Sequence, residues 1–231
     1  MPEKIIGILG GMGPEATIDL FHKIVKFTTA EKDQEHLRII IDNNPKIPDR
    51  TAAILGKGEN PLLALQETAR NLEKAGADFI IIPCNTAHYF LPLIKKSVRI
   101  PILNMIRETA QDIRQSTPQI KKVGLLASIG TYKTDIYLQY FKKYDIEVIY
   151  PDEKDKEKVM KAIYAVKAGN LSEKIKENFL KITQKIIDKG AETIIAGCTE
   201  IPLILKEDDN LVPLIDPTQI LAKAAVRKAR W

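Results

Sequence analysis

The chain has 231 residues, of which 45% are apolar and 28% charged, as expected for a soluble globular protein long enough to form two small domains. No apolar run approaches the roughly 20 residues of a membrane span, and the short run after Met1 is not a secretory signal. We therefore expect a cytoplasmic protein with free thiols and no membrane partner. The net charge of +5 is spread among scattered lysines, which argues against a nucleic-acid partner.

Short apolar runs alternate with amphipathic patterns along the first half of the chain. A strand is predicted at 4–9, followed by a helix from Pro14 to about Thr28 whose apolar face carries Ile18, Phe21, Ile24 and Val25. Further strands are predicted at 37–42, 78–83 and 100–103, with a polar loop at 43–51 and a helix at 61–74. Strands that alternate with helices of this length predict βαβ units and a parallel sheet.

The second half of the chain repeats the pattern of the first. The only two cysteines, Cys84 and Cys198, end similar segments and are 114 positions apart (198 − 84). Gly76 and Gly190, which precede these segments, have the same spacing (190 − 76). Two further matches occur in the same order, 5–14 with 122–131 and 100–104 with 212–216. Three matched segments at nearly constant spacing predict an internal duplication.

Duplication predicts an α/β protein of two doubly wound domains related by a pseudo-twofold axis. Each domain is expected to hold a short, mainly parallel four-stranded sheet flanked by helices. Helices are predicted at 105–115 and 217–230, and they are expected to cross to the partner half. The predicted domains are 1–104 plus 217–231, and 105–216. Because ligands bind beyond the carboxyl ends of parallel strands, we expect Cys84 and Cys198 to face one another across a cleft.

Two opposed thiols fit the inversion of a stereocentre. One thiolate removes a proton from one face of a carbon atom and the other thiol returns a proton to the opposite face, which is racemisation by two bases. Helix N-termini favour the thiolate form. Backbone N–H groups and the side chains of Asn85, Thr86 and Thr199 are candidates for holding the substrate carboxylate.

At these residues the sequence resembles the aspartate racemases, a cofactor-independent branch of the aspartate/glutamate racemase superfamily. The resemblance rests on Met12-Gly13-Pro14, Pro48-Asp49-Arg50-Thr51, Pro83-Cys84-Asn85-Thr86-Ala87-His88 and Gly197-Cys198-Thr199-Glu200, and it extends over nearly the whole chain. It implies a homodimeric racemase that uses two cysteines and neither pyridoxal phosphate nor a metal. It also implies that Arg50, helped by Lys167, binds the distal carboxylate of an acidic amino acid.

Two departures separate the chain from the glutamate racemases. Glu200 stands where that branch has a histidine, and Gly10 and Gly11 stand where it has an aspartate. Both departures agree with the aspartate branch, and they leave open which group tunes the two thiols. Met12, Thr131 and Glu200 complete the candidate substrate-binding residues, with Thr131 as either a ligand or a helix cap.

Other residues near these motifs have structural interpretations. We expect His88 to be a structural hydrogen-bonding residue rather than a base. The loop at 10–13 does not match a phosphate-binding motif and predicts a close approach of backbone to substrate. The tyrosine- and leucine-rich stretch at 132–141 is a candidate dimer contact.

Alternatives remain for the activity and for the single residues. The substrate could be glutamate, a broader set of amino acids, or a small diacid that is isomerised. The protein could also be a two-lobed module that binds a small anion without catalysis, although such a module does not need two thiols. Taken singly, Cys84 and Cys198 could be inert buried thiols, and Arg50 and Lys167 could be solvated surface residues.

Overall fold

The computed structural model describes residues 3–209 and 212–230, which form two compact units. The N-terminal unit comprises Met1–Glu108 and Thr218–Trp231, and the C-terminal unit comprises Thr109–Pro217. Domain boundaries at 104/105 and 216/217 stay a proposal from the sequence. The proposed domains include residues 1, 2, 210, 211 and 231, which lie outside the described residues.

Strands and helices alternate throughout. The first half contains β1 (Ile6–Gly10), α1 (Pro14–Phe27), β2 (Ile39–Asn43), α2 (Arg50–Ile54), α3 (Leu62–Lys74), β3 (Phe79–Ile81), α4 (Leu91–Ile94) and α5 (Met105–Ser116). The second half contains β4 (Lys122–Ala127), α6 (Ile129–Lys133), α7 (Ile136–Phe141), β5 (Glu147–Ile149), α8 (Glu153–Lys167), α9 (Glu173–Asp188), β6 (Thr193–Gly197), α10 (Ile201–Ile204), β7 (Leu214–Ile215) and α11 (Pro217–Arg230). Short 3-10 helices lie at Asp33–Glu35, Thr86–Phe90, Lys95–Ser97, Lys142–Tyr144 and Glu207–Asp209. Among the described residues, no helix has both the length and the apolar character needed to cross a bilayer.

Each unit has a parallel sheet with the same connectivity. In the N-terminal unit the strand order is β2-β1-β3, and an isolated parallel bridge between Ile80 and Ile102 lies where a fourth strand would be. In the C-terminal unit the order is β5-β4-β6-β7, also parallel. The predicted α/β class, with two parallel sheets flanked by helices, is confirmed. The N-terminal sheet has three strands rather than the expected four, because pairing on its last edge is limited to one residue pair.

Equivalent residues make equivalent hydrogen bonds in the two units. Gly76 and Gly190 follow the ends of α3 and α9 with φ values of +95° and +98°, and each lies in a Schellman motif. In this motif, the N–H of the glycine and that of the next alanine bond back to the last helical turn. The carboxylates of Asp78 and Glu192, also 114 positions apart (192 − 78), accept backbone N–H groups at the start of β1 and β4, at 2.6 to 2.7 Å. These matched details support the internal duplication.

Apolar side chains cover both faces of each sheet. In the N-terminal unit, Ile6 and Ile8 of β1 pack against Leu221 and Ala225 of α11, and α3 covers the opposite face. In the C-terminal unit, β4 and β6 pack against α8, α9 and α10. The helix at the C-terminus of the chain therefore belongs to the core of the N-terminal unit.

Helix α1 presents a different face to the core from the predicted one. Its buried residues are Ala16, Thr17, Leu20 and Ile24, so Ile24 alone of the predicted apolar face is buried. The side chains of Ile18, Phe21 and Val25 are exposed. The prediction was wrong because the helix carries two apolar stripes, and the hydrogen bonds of Thr17 to the preceding loop select the stripe that carries small residues.

The stretch at 132–141 is partly interior and partly exposed. The side chains of Tyr132, Tyr137 and Phe141 pack inside the C-terminal unit, whereas Lys133, Asp135 and Gln139 are exposed like Leu138. A dimer contact through the exposed part of this stretch stays a prediction.

Candidate active site

The candidate residues of the N-terminal unit lie beyond the carboxyl ends of its strands. Gly10 and Asn43 are paired at the ends of β1 and β2. Met12 follows β1, and Arg50 begins α2 after the loop that leaves β2. Cys84 follows β3. Because the strands are parallel, the loops that carry these residues emerge at one edge of the sheet.

The glycine-rich loop after β1 is shaped by its own protein neighbours. Gly11 has φ of +94°, and a Cβ atom there would lie 2.3 Å from the carbonyl carbon of Asn44. The side chain of Thr17 accepts the N–H of Gly11 at 3.0 Å and donates to the carbonyl oxygen of Gly13 at 3.2 Å. The glycines are thus explained by close packing within the unit, and the expected approach of this loop to a substrate stays a prediction.

Arg50 is a buried arginine, with 7% of its surface exposed. Its helix is capped by Asp49, whose carboxylate accepts the N–H of Ala52 at 2.7 Å. The Nη1 atom donates to the carbonyl oxygens of Ile47 and Pro48 at 3.3 and 3.0 Å. The Nη2 atom donates to the carbonyl oxygen of Met12 at 3.3 Å, and Met12 is itself buried.

The guanidinium group of Arg50 has no anionic partner within the described part of the chain. Its Nε atom is buried without a hydrogen-bond partner, and its other contacts are neutral carbonyl groups. A buried charge without a counter-ion is costly. The site therefore has the features of a receptor for an anion.

Cys84 is a free, buried cysteine, and His88 holds the segment around it. The Nδ1 atom of His88 lies 2.9 Å from the carbonyl oxygen of Cys84, and its Nε2 atom accepts the N–H of Met105 at 3.1 Å. Because Nε2 accepts a hydrogen bond, Nδ1 carries the proton and donates it. Burial lowers the pKa of His88 to about 4, so the ring is neutral at neutral pH. These contacts confirm a structural role.

Asn85 and Thr86 follow Cys84 into the short 3-10 helix Thr86–Phe90. Both residues are buried, and the carbonyl oxygen of Asn85 accepts the N–H of His88 at 3.0 Å. Helix α2, which carries Arg50, packs against this 3-10 helix. The structure thus brings Arg50 and Met12 into contact and places the segment bearing Cys84 beside them.

In the C-terminal unit, Cys198 forms a connected group with Glu200 and Lys167. The thiol of Cys198 donates to Oε2 of Glu200 at 2.9 Å, and Thr199 Oγ1 donates to the same oxygen at 3.3 Å. The other oxygen, Oε1, lies 3.5 Å from Nζ of Lys167. The glutamate side chain is 5% exposed and the lysine side chain 27% exposed. A charged pair therefore connects a buried thiol to the protein surface.

The environment of Cys198 favours its neutral form. Burial, the largest cause, raises the pKa of the Cys198 thiol well above its ordinary value, and the negative charge of Glu200 raises it further. Lys167 and the backbone N–H of Glu200 oppose the rise. Cys198 is therefore a protonated thiol at neutral pH.

Thr131 lies in the first turn of α6, after the carboxyl end of β4. The N–H of Thr131 donates to the side-chain oxygen of Ser128 at 3.2 Å. The hydroxyl oxygens of Ser128 and Thr131 lie 3.1 Å apart. Ser128 is thus the N-cap, and Thr131 is not. A ligand role for Thr131 stays a prediction. Ser128 was missed, although a serine directly before the first residue of a helix is an N-cap signal.

The sequence also did not indicate that two buried tyrosines, Tyr132 and Tyr137, lie close to Cys198. Tyr132 accepts the N–H of Ala127 at 2.8 Å and donates to the carbonyl oxygen of Leu125 at 3.1 Å. Burial raises the pKa of both Tyr132 and Tyr137, and the charge of a Cys198 thiolate would raise both further. No sequence signal marks them, because their proximity depends on how α6 and α7 fold onto β4.

Each unit thus carries one of the two cysteines, and in the C-terminal unit Cys198 is connected to Glu200 and Lys167. The expected approach of the two thiols to a shared substrate stays a prediction. Among the described residues, no group of three His, Cys, Asp or Glu side chains is arranged to hold a metal ion.

Comparison with known proteins identifies the relatives of the chain. The family model for Asp/Glu/hydantoin racemase matches residues 9–225. A broad specificity amino-acid racemase of Bacillus subtilis is 29% identical over 228 residues, covering 96% of each chain. The solved structure of Picrophilus torridus aspartate racemase is 34% identical with a TM-score of 0.87, covering 98% of this chain and 94% of that one.

A second solved structure agrees. An aspartate racemase homologue of Pyrococcus horikoshii is 27% identical with a TM-score of 0.79, covering 99% of this chain and all of that one. The family match and the aspartate racemase structure both extend along nearly the entire chain, including both cysteine segments. The chain therefore belongs to the Asp/Glu/hydantoin racemase family.

Proposed function

We propose that the protein is a cofactor-independent amino-acid racemase that interconverts L- and D-aspartate. Cys84 and Cys198 are the two bases. One thiolate takes the α-proton, the C–H electron pair remains on carbon as a carbanion, and the other thiol donates its proton to the opposite face. The mechanism requires both sulfur atoms to reach the same α-carbon.

The observation that carries the choice of an acidic substrate is the buried guanidinium of Arg50. It lacks a carboxylate partner among the described residues, and its Nε–H group remains available. A bidentate arginine–carboxylate pair would satisfy it and would fix the side-chain carboxylate of aspartate. Met12, Asn85, Thr86, Thr131 and Thr199 are proposed to line the substrate, with Lys167 and Glu200 at its C-terminal-unit side.

The relatives support the reaction class and leave one alternative in substrate range. The Bacillus relative is named a broad specificity amino-acid racemase, and several curated relatives are named glutamate racemases. A broader range, or glutamate, is therefore the second candidate. A homodimeric state stays a prediction of the resemblance, and a cytoplasmic location stays a prediction from the cysteine content and the lack of a secretory pattern.

The test is racemisation of L-aspartate in deuterium oxide, followed by chiral chromatography and mass spectrometry, with glutamate and alanine as further substrates. We expect D-aspartate that carries deuterium at the α-carbon in the first turnovers, while the remaining L-aspartate keeps its proton. This difference is expected because separate groups remove and return the proton. Tight binding of aspartate without exchange would instead identify an anion-binding module.

A further inference from the structure

The group around Cys198 differs in kind from the surroundings of Cys84. Cys198 has a carboxylate 2.9 Å from its sulfur, and that carboxylate contacts an ammonium group 3.5 Å from its other oxygen. At Cys84, the backbone N–H donates to the carbonyl oxygen of Ile82, and the backbone carbonyl oxygen accepts a hydrogen bond from the ring of His88. The two cysteines of the internal repeat therefore differ, because an ionisable connection is described for the thiol of Cys198.

A thiol that donates its proton to a carbanion becomes a thiolate and must be restored before the next turnover. The carboxylate beside Cys198 disfavours a negative charge on sulfur, so a proton source is needed close by. The side chain of Glu200 is almost fully buried, whereas that of Lys167 reaches solvent at 27% exposure. A proton could therefore pass between the sulfur and solvent through the carboxylate and then the ammonium group.

We propose that Glu200 relays protons between Cys198 and solvent, with Lys167 at the outer end, and so resets the enzyme between turnovers. This inference rests on the proposed racemase activity and deepens it. Thr199 holds the inner oxygen of the relay through its hydroxyl hydrogen bond at 3.3 Å.

The relay step is balanced in atoms and charge. After Cys198 has given its proton to the carbanion, an N–H bond of Lys167 breaks and an O–H bond forms on Glu200. A half-turn of the carboxyl group brings that proton to the sulfur side. There the O–H bond breaks and the thiolate electron pair forms an S–H bond, while a water molecule gives a proton to the neutral amine of Lys167 and leaves as hydroxide. One proton has moved from solvent to Cys198, and the reverse sequence prepares Cys198 to act as a base.

Other ionisable groups that face Cys198 do not carry the proton. Tyr132 on α6 and Tyr137 on α7 are influenced by the charge of Cys198, and Asp216 influences Tyr137. Burial keeps both phenols protonated, so neither supplies a charge at neutral pH. The contacts described around the thiol connect it to two charged groups, with Glu200 bonded to Cys198 and Lys167 paired with Glu200.

The test combines thiol reactivity with kinetics in Glu200→Gln. Alkylation of Cys198 by iodoacetamide is followed across pH by mass spectrometry of the peptide, with Cys84 as the internal reference. We expect the midpoint for Cys198 to fall by about 1–3 pH units, because a like charge has been removed.

We expect kcat for aspartate to fall about 100-fold, the scale of a lost proton-transfer group. The value of kcat should fall more than kcat/KM, because the reset follows product release.

Lys167→Met supplies the opposing variant, and its partly exposed position makes it suitable if Glu200→Gln does not fold. In this variant the pH midpoint of Cys198 alkylation should rise, because a cation has been removed. The value of kcat should again fall. A midpoint that does not move in either variant, or a Glu200→Gln enzyme that racemises as fast as the original, would overturn the relay. Absence of racemisation by the unsubstituted protein overturns the proposed function itself. That failure is distinguishable, because it is seen before any substitution is made.

Discussion

Arg50 carries a positive charge into the interior of the N-terminal unit, where it contacts no carboxylate of the residues that the structure describes. Its contacts with the carbonyl oxygens of Met12, Ile47 and Pro48 orient the guanidinium but do not neutralise it. These same contacts also tie the 43–49 loop to the loop after β1. The residue therefore has two separable roles, one in loop structure and one in binding an anion.

Arg50→Lys separates these roles, since it keeps the charge and removes the planar fork. We expect kcat/KM for aspartate to fall about 10- to 100-fold, the equivalent of one charge-assisted hydrogen bond of roughly 1.5–3 kcal/mol. The rate with alanine should change little, because alanine has no side-chain carboxylate. The ratio of the two kcat/KM values is the measurement, with the melting temperature recorded beside it. An equal loss for both substrates would assign Arg50 to loop structure alone.

At this scale the sequence selected candidate residues, whose catalytic and binding roles stay predictions, but it did not predict their contacts. The two cysteines and Arg50 were selected because repeats, prolines and strand ends mark their positions. Glu200 was assigned to the substrate, but the structure shows hydrogen bonding to Cys198 and an ion pair with Lys167. Sequence spacing does not specify the direction of a side chain in the turn between β6 and α10, so this link could not be predicted.

At the scale of elements, His88 joins the segment of Cys84 to the start of α5. It bonds the carbonyl oxygen of Cys84 with one ring nitrogen and the N–H of Met105 with the other. Both bonds require the neutral ring, and burial lowers its pKa from 6.5 to about 4. The unfolded chain therefore binds a proton at a higher pH than the folded chain does.

The sign of the pH effect follows from this difference. The neutral ring of His88 makes its full contribution to the free energy of unfolding above pH 6.5. This contribution, roughly 3 kcal/mol in all, is lost as the pH falls toward 4 and below. His88→Gln has no ring to protonate, so its free energy of unfolding should fall less over this range. Urea unfolding followed by circular dichroism at pH 7, 5.5 and 4.5 measures the difference. His22→Gln, at an exposed position of α1, should follow the unsubstituted protein, and parallel curves for all three proteins would contradict the prediction.

Element type was predictable, but the choice of faces and edges was not. Alternating apolar runs marked β1, β2, β3 and β4, and Gly76 and Gly190 marked the ends of α3 and α9. The buried face of α1 depended on Thr17 bonding to the neighbouring loop, which local periodicity does not encode. The reduced fourth strand at Ile102 depended on how far the edge of the sheet could pair.

At the scale of the whole molecule, duplication was predictable because it leaves constant spacings in the sequence. The two sheets repeat one strand order, and Asp78 and Glu192 make the same hydrogen bonds at the N-terminal ends of their sheets. What the repeat could not predict is divergence between the copies. Cys198 is bonded to an ionisable pair, whereas the segment of Cys84 is bonded by a neutral histidine.

The contribution of each unit to catalysis can be separated with a reaction that needs only one base. Elimination of chloride from 3-chloroaspartate requires loss of the α-proton, formation of a C=C bond and departure of chloride, with no proton returned to carbon. If each unit supplies the base for one face, Cys84→Ala should lose elimination from one enantiomer by at least about 100-fold and keep it for the other. Cys198→Ala should show the opposite preference, and both variants should lose racemisation of aspartate.

Chloride release from each enantiomer is the measurement, and the double variant is the control that should lose both reactions. A complementary pattern would show that the duplicated halves divide one stereochemical task between them. Loss of both eliminations in one variant and of neither in the other would assign all proton abstraction to a single thiol. The second cysteine would then be a buried structural residue, and the repeat would record shared ancestry without a shared role in catalysis.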